Sequence, residues 1–304
     1  MSNFVRVLTA FLLVVSTNLA NAQETITILW GFNIGSNQAN TVRLLCDELN
    51  RSQDRYTFII GHKPGAGGTI AATEVANHPA NTLVSMSSSF IIRPYYEKGI
   101  LTHNLDNFRP ILVQGTGSPL FIVSSKYRTI DELLAKTDLS IGVSGIGSIS
   151  HLAADEITGS VKNVNIINFK DMIEASTSAA GGHIDAAVGF LPDLQGMLDS
   201  GKIQVLGYTG RREIKEYPGL MLSKQIPEVS NLTANYAIFA GTDMPADRFA
   251  EIHDMLNRVN NRSLVVDSYR KDLLNISILD IKQSQAWYAN ERSYWKLQVE
   301  KIRK

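Results

Sequence analysis

Short apolar runs rich in β-branched and aromatic residues alternate along this chain with longer amphipathic stretches. Runs of about four to six residues bounded by turn-forming residues predict strands. Such runs occur at 25–30, 56–60, 83–86, 110–114, 120–124, 139–143, 164–169, 184–188 and 203–208. Apolar residues recur at helical spacing in 39–49, 249–259 and 285–302. The alternation predicts an α/β fold of mainly parallel sheets flanked by helices, and this many strands favours two sheets.

The amino terminus has the pattern of an export signal. Arg6 precedes an apolar run at 7–15, and Ala20 and Ala22 are small residues that suit signal peptidase. The apolar run is shorter than the roughly 20 residues that span a bilayer. We therefore expect residues 1–22 to be a signal peptide cleaved near Ala22, and the remaining chain to work in the periplasm.

Charge and cysteine content narrow the class of function. The 29 basic and 29 acidic residues balance, and no basic run offers a surface for nucleic acid. The one cysteine, Cys46, lies among apolar residues at helical spacing, which predicts a buried position. The six histidines lack the paired spacing of metal ligands, and the glycine-rich turns match neither the P-loop nor the dinucleotide fingerprint. No metal or cofactor is expected.

Candidate binding residues lie in loops that follow predicted strands, where open α/β sheets bind their ligands. The loops at 31–38, 65–69 and 144–151 each lead into a predicted helix. Backbone N–H groups at a helix start favour an anion, whereas the structural alternatives are helix caps and tight turns. The candidate ligand-binding residues in these loops, and after the strand at 83–86, are Gly35, Ser36, Asn37, Gln38, Gly67, Ser87, Ser88, Ser144, Gly145, Gly147, Ser148 and His151.

An enzyme has weak support in the sequence. Ser148 and His151 are close along the chain, yet the Gly-x-Ser-x-Gly motif of a nucleophile elbow is absent. His151 also fits the role of a polar residue at a helix start. The sequence shows no nucleophile, acid/base or metal constellation, so we expect a binding protein rather than an enzyme.

Several motifs, taken in order, resemble those of the exported solute receptors of the tripartite tricarboxylate transporter system, often called Bug receptors. The most specific is Lys63-Pro64-Gly65-Ala66-Gly67-Gly68, which is similar to the family's run after the second strand. Ser144-Gly145-Ile146-Gly147-Ser148, followed by His151-Leu152-Ala153, is similar to its Gly-x-Gly-Ser…His-Leu motif. Shorter matches follow at 181–187, 200–203 and 211–218.

The resemblance implies a two-domain periplasmic binding protein of the type II flytrap-like architecture. One domain would contain residues 23–122 and 236–304, and the other residues 123–235. Such a receptor would capture a small organic acid or related carboxylated metabolite, act as a monomer, and deliver the ligand to membrane transporter subunits. The alternative is a receptor that docks on a sensor protein for signalling. Neighbouring genes would distinguish the two roles, because transporter subunits favour transport and a sensor kinase favours signalling.

The resemblance also implies where the ligand binds. The loops at 35–38 and 144–148 would face each other across a cleft, and Phe190 would line it together with the strand-end serines. In the family the ligand carboxylate is held largely by backbone amides and ordered water. One departure concerns the first loop, where the family's Thr-Asp pair is replaced, so Asn37 or Gln38 would offer neutral amide contacts.

Overall fold

The computed structural model describes residues 23–32, 34–65, 68–97 and 103–302. The predicted signal peptide and Gly67 therefore lie outside the described residues. Within these ranges no helix combines the length and the apolar character needed to cross a bilayer. The described chain folds into strands and helices arranged around two β-sheets.

The elements follow one another in strand–helix alternation over most of the chain. The strands are β1 (Glu24–Trp30), β2 (Tyr56–His62), β3 (Thr82–Ser87), β4 (Phe108–Pro119), β5 (Phe121–Ser124), β6 (Asp138–Val143), β7 (Asn163–Asn168), β8 (Ala186–Gly189), β9 (Gln204–Tyr208), β10 (Thr233–Gly241) and β11 (Asn275–Ile276). The helices are α1 (Asn37–Ser52), α2 (Thr69–Asn77), α3 (Ser89–Tyr96), α4 (Ile130–Leu134), α5 (Ile149–Thr158), α6 (Met172–Ala180), α7 (Leu191–Asp199), α8 (Ala246–Asn260), α9 (Ser263–Lys271) and α10 (Ile281–Ile302). Short 3₁₀ turns occur at Leu105–Asn107, Leu222–Lys224 and Pro227–Asn231.

The two sheets are mixed in strand direction. The first has six strands in the order β11-β4-β10-β3-β1-β2, and the second has five in the order β7-β6-β8-β5-β9. β1 is parallel to β2 and β3, and β6 is parallel to β7 and β8. β10 is antiparallel to β3 and β4, and β5 is antiparallel to β8 and β9. The α/β class with two sheets is confirmed, but the mainly parallel pairing is not, because the strands that adjoin the connections between the sheets run against their neighbours.

Burial of apolar faces accounts for the packing of helices on the first sheet. Val42, Leu45 and Leu49 form the inner face of α1 and are fully buried, as is Ile28 of β1. Burying such a side chain contributes about 1.5–3 kcal/mol relative to leaving it exposed. Cys46 lies on the same face and is 3% exposed, as its helical spacing predicts.

Strand β10 is the main element that the apolar pattern does not predict. Alanine has low intrinsic β propensity, and Ala234, Ala237 and Ala240 dilute the strand signal in this segment. All three are nearly or fully buried because β10 lies between β3 and β4 in the first sheet. The sheet environment, rather than the local sequence, makes this segment a strand.

Two adjacent connections join the sheets. Leu120 alone separates β4 of the first sheet from β5 of the second, and the chain returns between Tyr208 and Thr233. The Thr209 backbone N–H donates to the Leu120 carbonyl at 2.9 Å, and the Leu120 N–H donates to Thr209 Oγ1 at 3.0 Å. Each sheet with its helices is called a lobe below, the six-stranded one being the first. The residue limits of the two predicted domains stay a prediction.

Candidate functional site

A cavity of about 70 Å³ lies between the two lobes. The predicted residues that line it are Ser36, Asn37, Gln38 and Ser87 of the first lobe and Ser144, Ser148 and Phe190 of the second. Ser36 and Ser148, which the cleft hypothesis requires to share a cavity, therefore do so. A cavity of this volume is several times the roughly 10–15 Å³ needed to hold one water, which suits a compact solute.

The loop before α1 supplies a helix cap and two side-chain amides. Ser36 is the N-cap of α1, and its hydroxyl accepts from the Ala39 N–H at 3.3 Å. Asn37 Nδ2 and Gln38 Nε2 donate to the same oxygen of Asp272, Oδ2, at 2.8 and 3.1 Å. Asp272 follows α9 and also lines the cavity. The two amides thus hold a carboxylate of the protein at the cavity wall.

The second lobe contributes a hydroxyl cluster, defined here as Ser144, Ser148 and Ser150, at the start of α5. The Ser150 hydroxyl lies 2.9 Å from that of Ser148 and 3.3 Å from that of Ser144. Ser148 is the N-cap of α5, and its Oγ accepts from the His151 N–H at 3.3 Å. All three serines line the cavity. Polar groups that both donate and accept are therefore concentrated at one end of it.

Several backbone amides of the 144–151 loop donate hydrogen bonds to groups of the protein itself. The Gly147 N–H donates to His151 Nδ1 at 3.1 Å, and the Ile149 N–H donates across the cleft to Ser89 Oγ at 3.2 Å. These two donors already have partners within the protein, whereas the contact of a ligand with other amides of this loop, which the resemblance implies, stays a prediction. Serine hydroxyls are the polar groups that this loop presents to the cavity.

Some predicted residues support the cavity without lining it. They are Gly35, Ser88, Gly145, Gly147 and His151. The Ser88 hydroxyl accepts from the Asn235 N–H at 2.9 Å, which ties the start of α3 to β10. Burial lowers the pKa of His151 to about 4, so its ring is neutral at pH 7 and Nδ1 is free to accept from Gly147. Ser88, Gly147 and His151 therefore help to position the loops that carry the lining.

Acidic side chains that the sequence analysis does not name also line the cavity: Asp171, Asp193 and Asp272. Asp193 lies in the first turn of α7, three residues after Phe190, so the rule that favours residues following strands could have identified it. Asp272 gives no such signal, because it follows a helix far along the chain and resembles an ordinary surface charge in sequence. Only the fold brings it to Asn37 and Gln38.

Burial governs the electrostatics of this acidic pair. Burial raises the pKa of the Asp272 carboxyl to about 7, and the nearby Asp193 carboxylate adds to the rise against the hydrogen bonds from Asn37 and Gln38. Burial likewise raises the pKa of Asp193 to about 6, against a hydrogen bond from the Asn37 backbone N–H. Among the described residues that line the cavity, none is Lys, Arg or His.

Aromatic rings form much of the remaining wall. Trp30 and Phe32 lie with ring centroids 5.4 Å apart, and Phe190 and Tyr236 with centroids 5.9 Å apart. Phe190 comes from the second lobe and Tyr236 from the first, so this pair closes the cavity from both sides. Within the described residues no cluster of acidic, histidine or cysteine side chains is arranged to hold a metal. The arrangement suits reversible binding of a small polar solute.

Comparison with protein families gives one match that spans most of the chain. The model of the tripartite tricarboxylate transporter family receptor matches residues 42–304. A UPF0065 protein of Bordetella bronchiseptica is 26% identical over 266 residues, which is 81% of this chain and 76% of that protein.

Comparison with solved structures supports the same fold. The periplasmic binding protein BugD superposes with a TM-score of 0.79 at 18% identity, covering 92% of this chain and 97% of its own. MatC from Rhodopseudomonas palustris with bound malate has a TM-score of 0.78 at 19% identity, covering 91% of this chain and 99% of its own. The two-lobed architecture is thus shared over nearly the full length of these proteins.

Proposed function

Because the chain belongs to the tripartite tricarboxylate transporter receptor family, we propose that it captures a small organic acid or related carboxylated metabolite in the cavity between its lobes. It then delivers this ligand to a membrane transporter of the tripartite type. Family membership also makes the chain a periplasmic solute receptor rather than an enzyme, as the motifs predict.

The observation that carries this proposal is a cavity whose walls come from both lobes. Ser36 and Ser87 lie on one side, and Ser148 and Phe190 on the other. A solute held there contacts both lobes at once, so it favours the closed form by the free energy of its contacts with the second lobe. A transporter can then distinguish a loaded receptor from an empty one by its shape.

The hydroxyl cluster is the better end for a ligand carboxylate. Contacts between the three hydroxyls use two of their hydrogens, so at least one hydroxyl can donate to a ligand, and the start of α5 places a helix dipole behind the cluster. A negative group at a helix start gains about 0.3–1 kcal/mol, and up to about 2 kcal/mol in partly buried geometry. These contributions support a carboxylated ligand and favour its binding at the hydroxyl cluster.

The remaining parts of the proposal concern export and organisation. We expect cleavage near Ala22 and action as a monomer in the periplasm, with domains limited to 23–122 plus 236–304 and to 123–235. N-terminal sequencing of the exported protein would locate the cleavage, and light scattering of the purified protein would measure its mass.

A ligand screen by isothermal titration calorimetry and thermal melts tests the function directly. The probes are small mono-, di- and tricarboxylates, with malate among the first because MatC was solved with malate bound. The panel also includes the common amino acids. At a concentration 100 times its Kd, a true ligand stabilises the folded protein by about 2.7 kcal/mol. Folded protein that binds no carboxylate or amino acid saturably would refute the proposal.

A further inference from the structure

Two carboxylates, called the acidic end below, line the cavity together with the hydroxyl cluster. Asp272 of the first lobe is 4% exposed, and Asp193 reaches the same space from α7 of the second lobe. As described above, no basic side chain is found among the described lining residues. A solute that carried negative charge alone would therefore face these two carboxylates with no basic side chain among the described lining residues to offset the repulsion.

Hydrogen bonds hold both carboxylates of the acidic end in position. Two amides, from Asn37 and Gln38, fix the Asp272 carboxylate through Oδ2. The Asn37 backbone N–H at the start of α1 is hydrogen-bonded to the Asp193 carboxylate, so one short segment of the first lobe contacts both acids. Closing the lobes is what brings two like charges together, and a positive group between them would offset that cost.

An unpartnered acceptor lies beside these carboxylates. Gln38 is 3% exposed and lines the cavity, and its Oε1 accepts no hydrogen bond from the described residues. The amide cannot be reversed without harm, because its nitrogen donates to Asp272 and an oxygen in that place would face a carboxylate. A buried carbonyl oxygen without a donor is unfavourable, so a ligand that donates a hydrogen bond to it would gain affinity.

We propose that the solute carries a protonated amino group as well as a carboxylate, so that the receptor selects a small zwitterion of the amino-acid class. The ammonium binds between Asp193, Asp272 and Gln38 Oε1, and the carboxylate binds the hydroxyl cluster. This inference rests on the proposed receptor function and specifies its ligand.

The chemistry of an ammonium group matches this end of the cavity. An ammonium has three donors and no acceptor, and the cavity offers two carboxylates and one free carbonyl oxygen. Tyr236 and Phe190 place aromatic rings at the same cavity, where a cation gains further from the ring faces. Burial raises the pKa of Asp272, and an ammonium beside its carboxylate would favour the charged form.

Matched sets of solutes test the inference on the unaltered protein. Each set contains an amino acid, the acid that lacks its amino group, and the amine that lacks its carboxylate: for example alanine, propionate and ethylamine, or serine, 3-hydroxypropionate and ethanolamine. Calorimetry at pH 7.5 measures each Kd. We expect at least one amino acid to bind 100-fold or more tightly than both of its truncated relatives.

Three further outcomes separate this inference from the proposed function. If a deaminated acid binds tightly and its amino acid binds no more tightly, the zwitterion proposal is wrong. The proposed function as a carboxylate receptor would still hold. Equal binding of the amine and the amino acid would overturn the carboxylate end and with it both proposals. No saturable binding by any member of the panel would likewise count against both.

Variants of the two aspartates test where the ammonium group of the ligand binds. Asp272→Asn and Asp193→Asn keep a side-chain oxygen and remove the charge. Each should weaken binding of the amino acid by 10-fold or more and change binding of the deaminated acid little. Asp199→Asn is the control, because Asp199 is an exposed residue of the same helix α7 as Asp193. Thermal melts confirm folding of each variant. Variants of Asp193 and Asp272 that bind the amino acid as tightly as the control would overturn the assignment.

Discussion

At the scale of single residues, Ser148 combines a helix cap with a place in the cavity wall. Its hydroxyl accepts from the His151 N–H and lies 2.9 Å from the hydroxyl of Ser150. The residue is 4% exposed in the closed structure. One side chain therefore contributes both to the stability of α5 and to the polar end that the proposed carboxylate occupies.

Ser148→Ala should lower the free energy of unfolding by about 1 kcal/mol through the lost cap, as caps of this kind do. Ligand affinity should fall by about fivefold, which corresponds to about 1 kcal/mol for one hydrogen bond. Denaturant titration measures the first effect, and calorimetry with the ligand found in the screen measures the second.

Thr129→Ala is the matched control for this prediction. Thr129 is the N-cap of α4 in the same lobe and accepts from the Glu132 N–H at 3.2 Å, but it does not line the cavity. We expect a similar loss of stability with unchanged affinity. An equal loss of affinity in both variants would mean that Ser148 acts through stability alone.

At the scale of elements, the loop before α5 packs against α3 of the other lobe. Gly147 has φ 72°, in the left-handed region, and a Cβ added there would lie 3.2 Å from Tyr96 Cδ1. The Ile149 N–H bond to Ser89 joins the same two elements. Glycine thus allows the backbone of one lobe to approach an aromatic ring of the other.

Gly147→Ala should weaken ligand binding by hindering closure. The left-handed conformation costs a non-glycine residue about 1–2 kcal/mol, and the added methyl also presses on Tyr96 in the closed form alone. Stopped-flow binding should show faster ligand release, with folding of the lobes retained.

Gly201→Ala separates backbone strain from contact across the cleft. Gly201 has φ 66°, and an added Cβ would have no atom within 4 Å. This control should lose similar stability and release ligand at the normal rate. If both alanine variants release ligand alike, the contact with Tyr96 does not control closure.

The helices and strands also show how much of the secondary structure the apolar pattern of the sequence predicts. Period-two and helical apolar patterns identify most strands and helices because those elements bury one face against their own lobe. The apolar pattern does not predict β10, because its alanines adopt the strand conformation through pairing with β3 and β4 on either side. The loops after β1 and β6 were identifiable because ligand sites in α/β folds follow strands.

At the scale of the whole molecule, we expect the paired connections between the lobes to act as a hinge. Thr209 is 1% exposed, accepts from the Leu120 N–H at 3.0 Å and donates to the Leu232 carbonyl at 2.5 Å. One hydroxyl therefore links both connections near the axis about which the lobes would move.

Thr209→Val should destabilise the protein, because it leaves the Leu120 N–H and the Leu232 carbonyl without this partner. Each unpaired buried group costs about 1–3 kcal/mol. Thr209→Ser keeps the hydroxyl and should lose less. Denaturant titration compares the two variants, and small-angle scattering measures how far each contracts with ligand. Equal stability of the valine and serine variants would show that the hydroxyl is dispensable.

The sequence by itself determined the α/β class, the receptor family, and the loops that flank the cavity, because local periodicity and motif order are properties of neighbouring residues. The tertiary structure decided which of those residues face the solute. Ser144, Ser148 and Phe190 line the cavity, whereas Gly147 and His151 hold the loop in place.

The acidic end was decided by tertiary structure alone. Asp272 meets Asn37 and Gln38 across more than 230 positions of sequence, and Asp193 arrives from the opposite lobe. Burial and proximity, which set the charge and the hydrogen-bonding needs of such a site, depend on distances that no local pattern encodes.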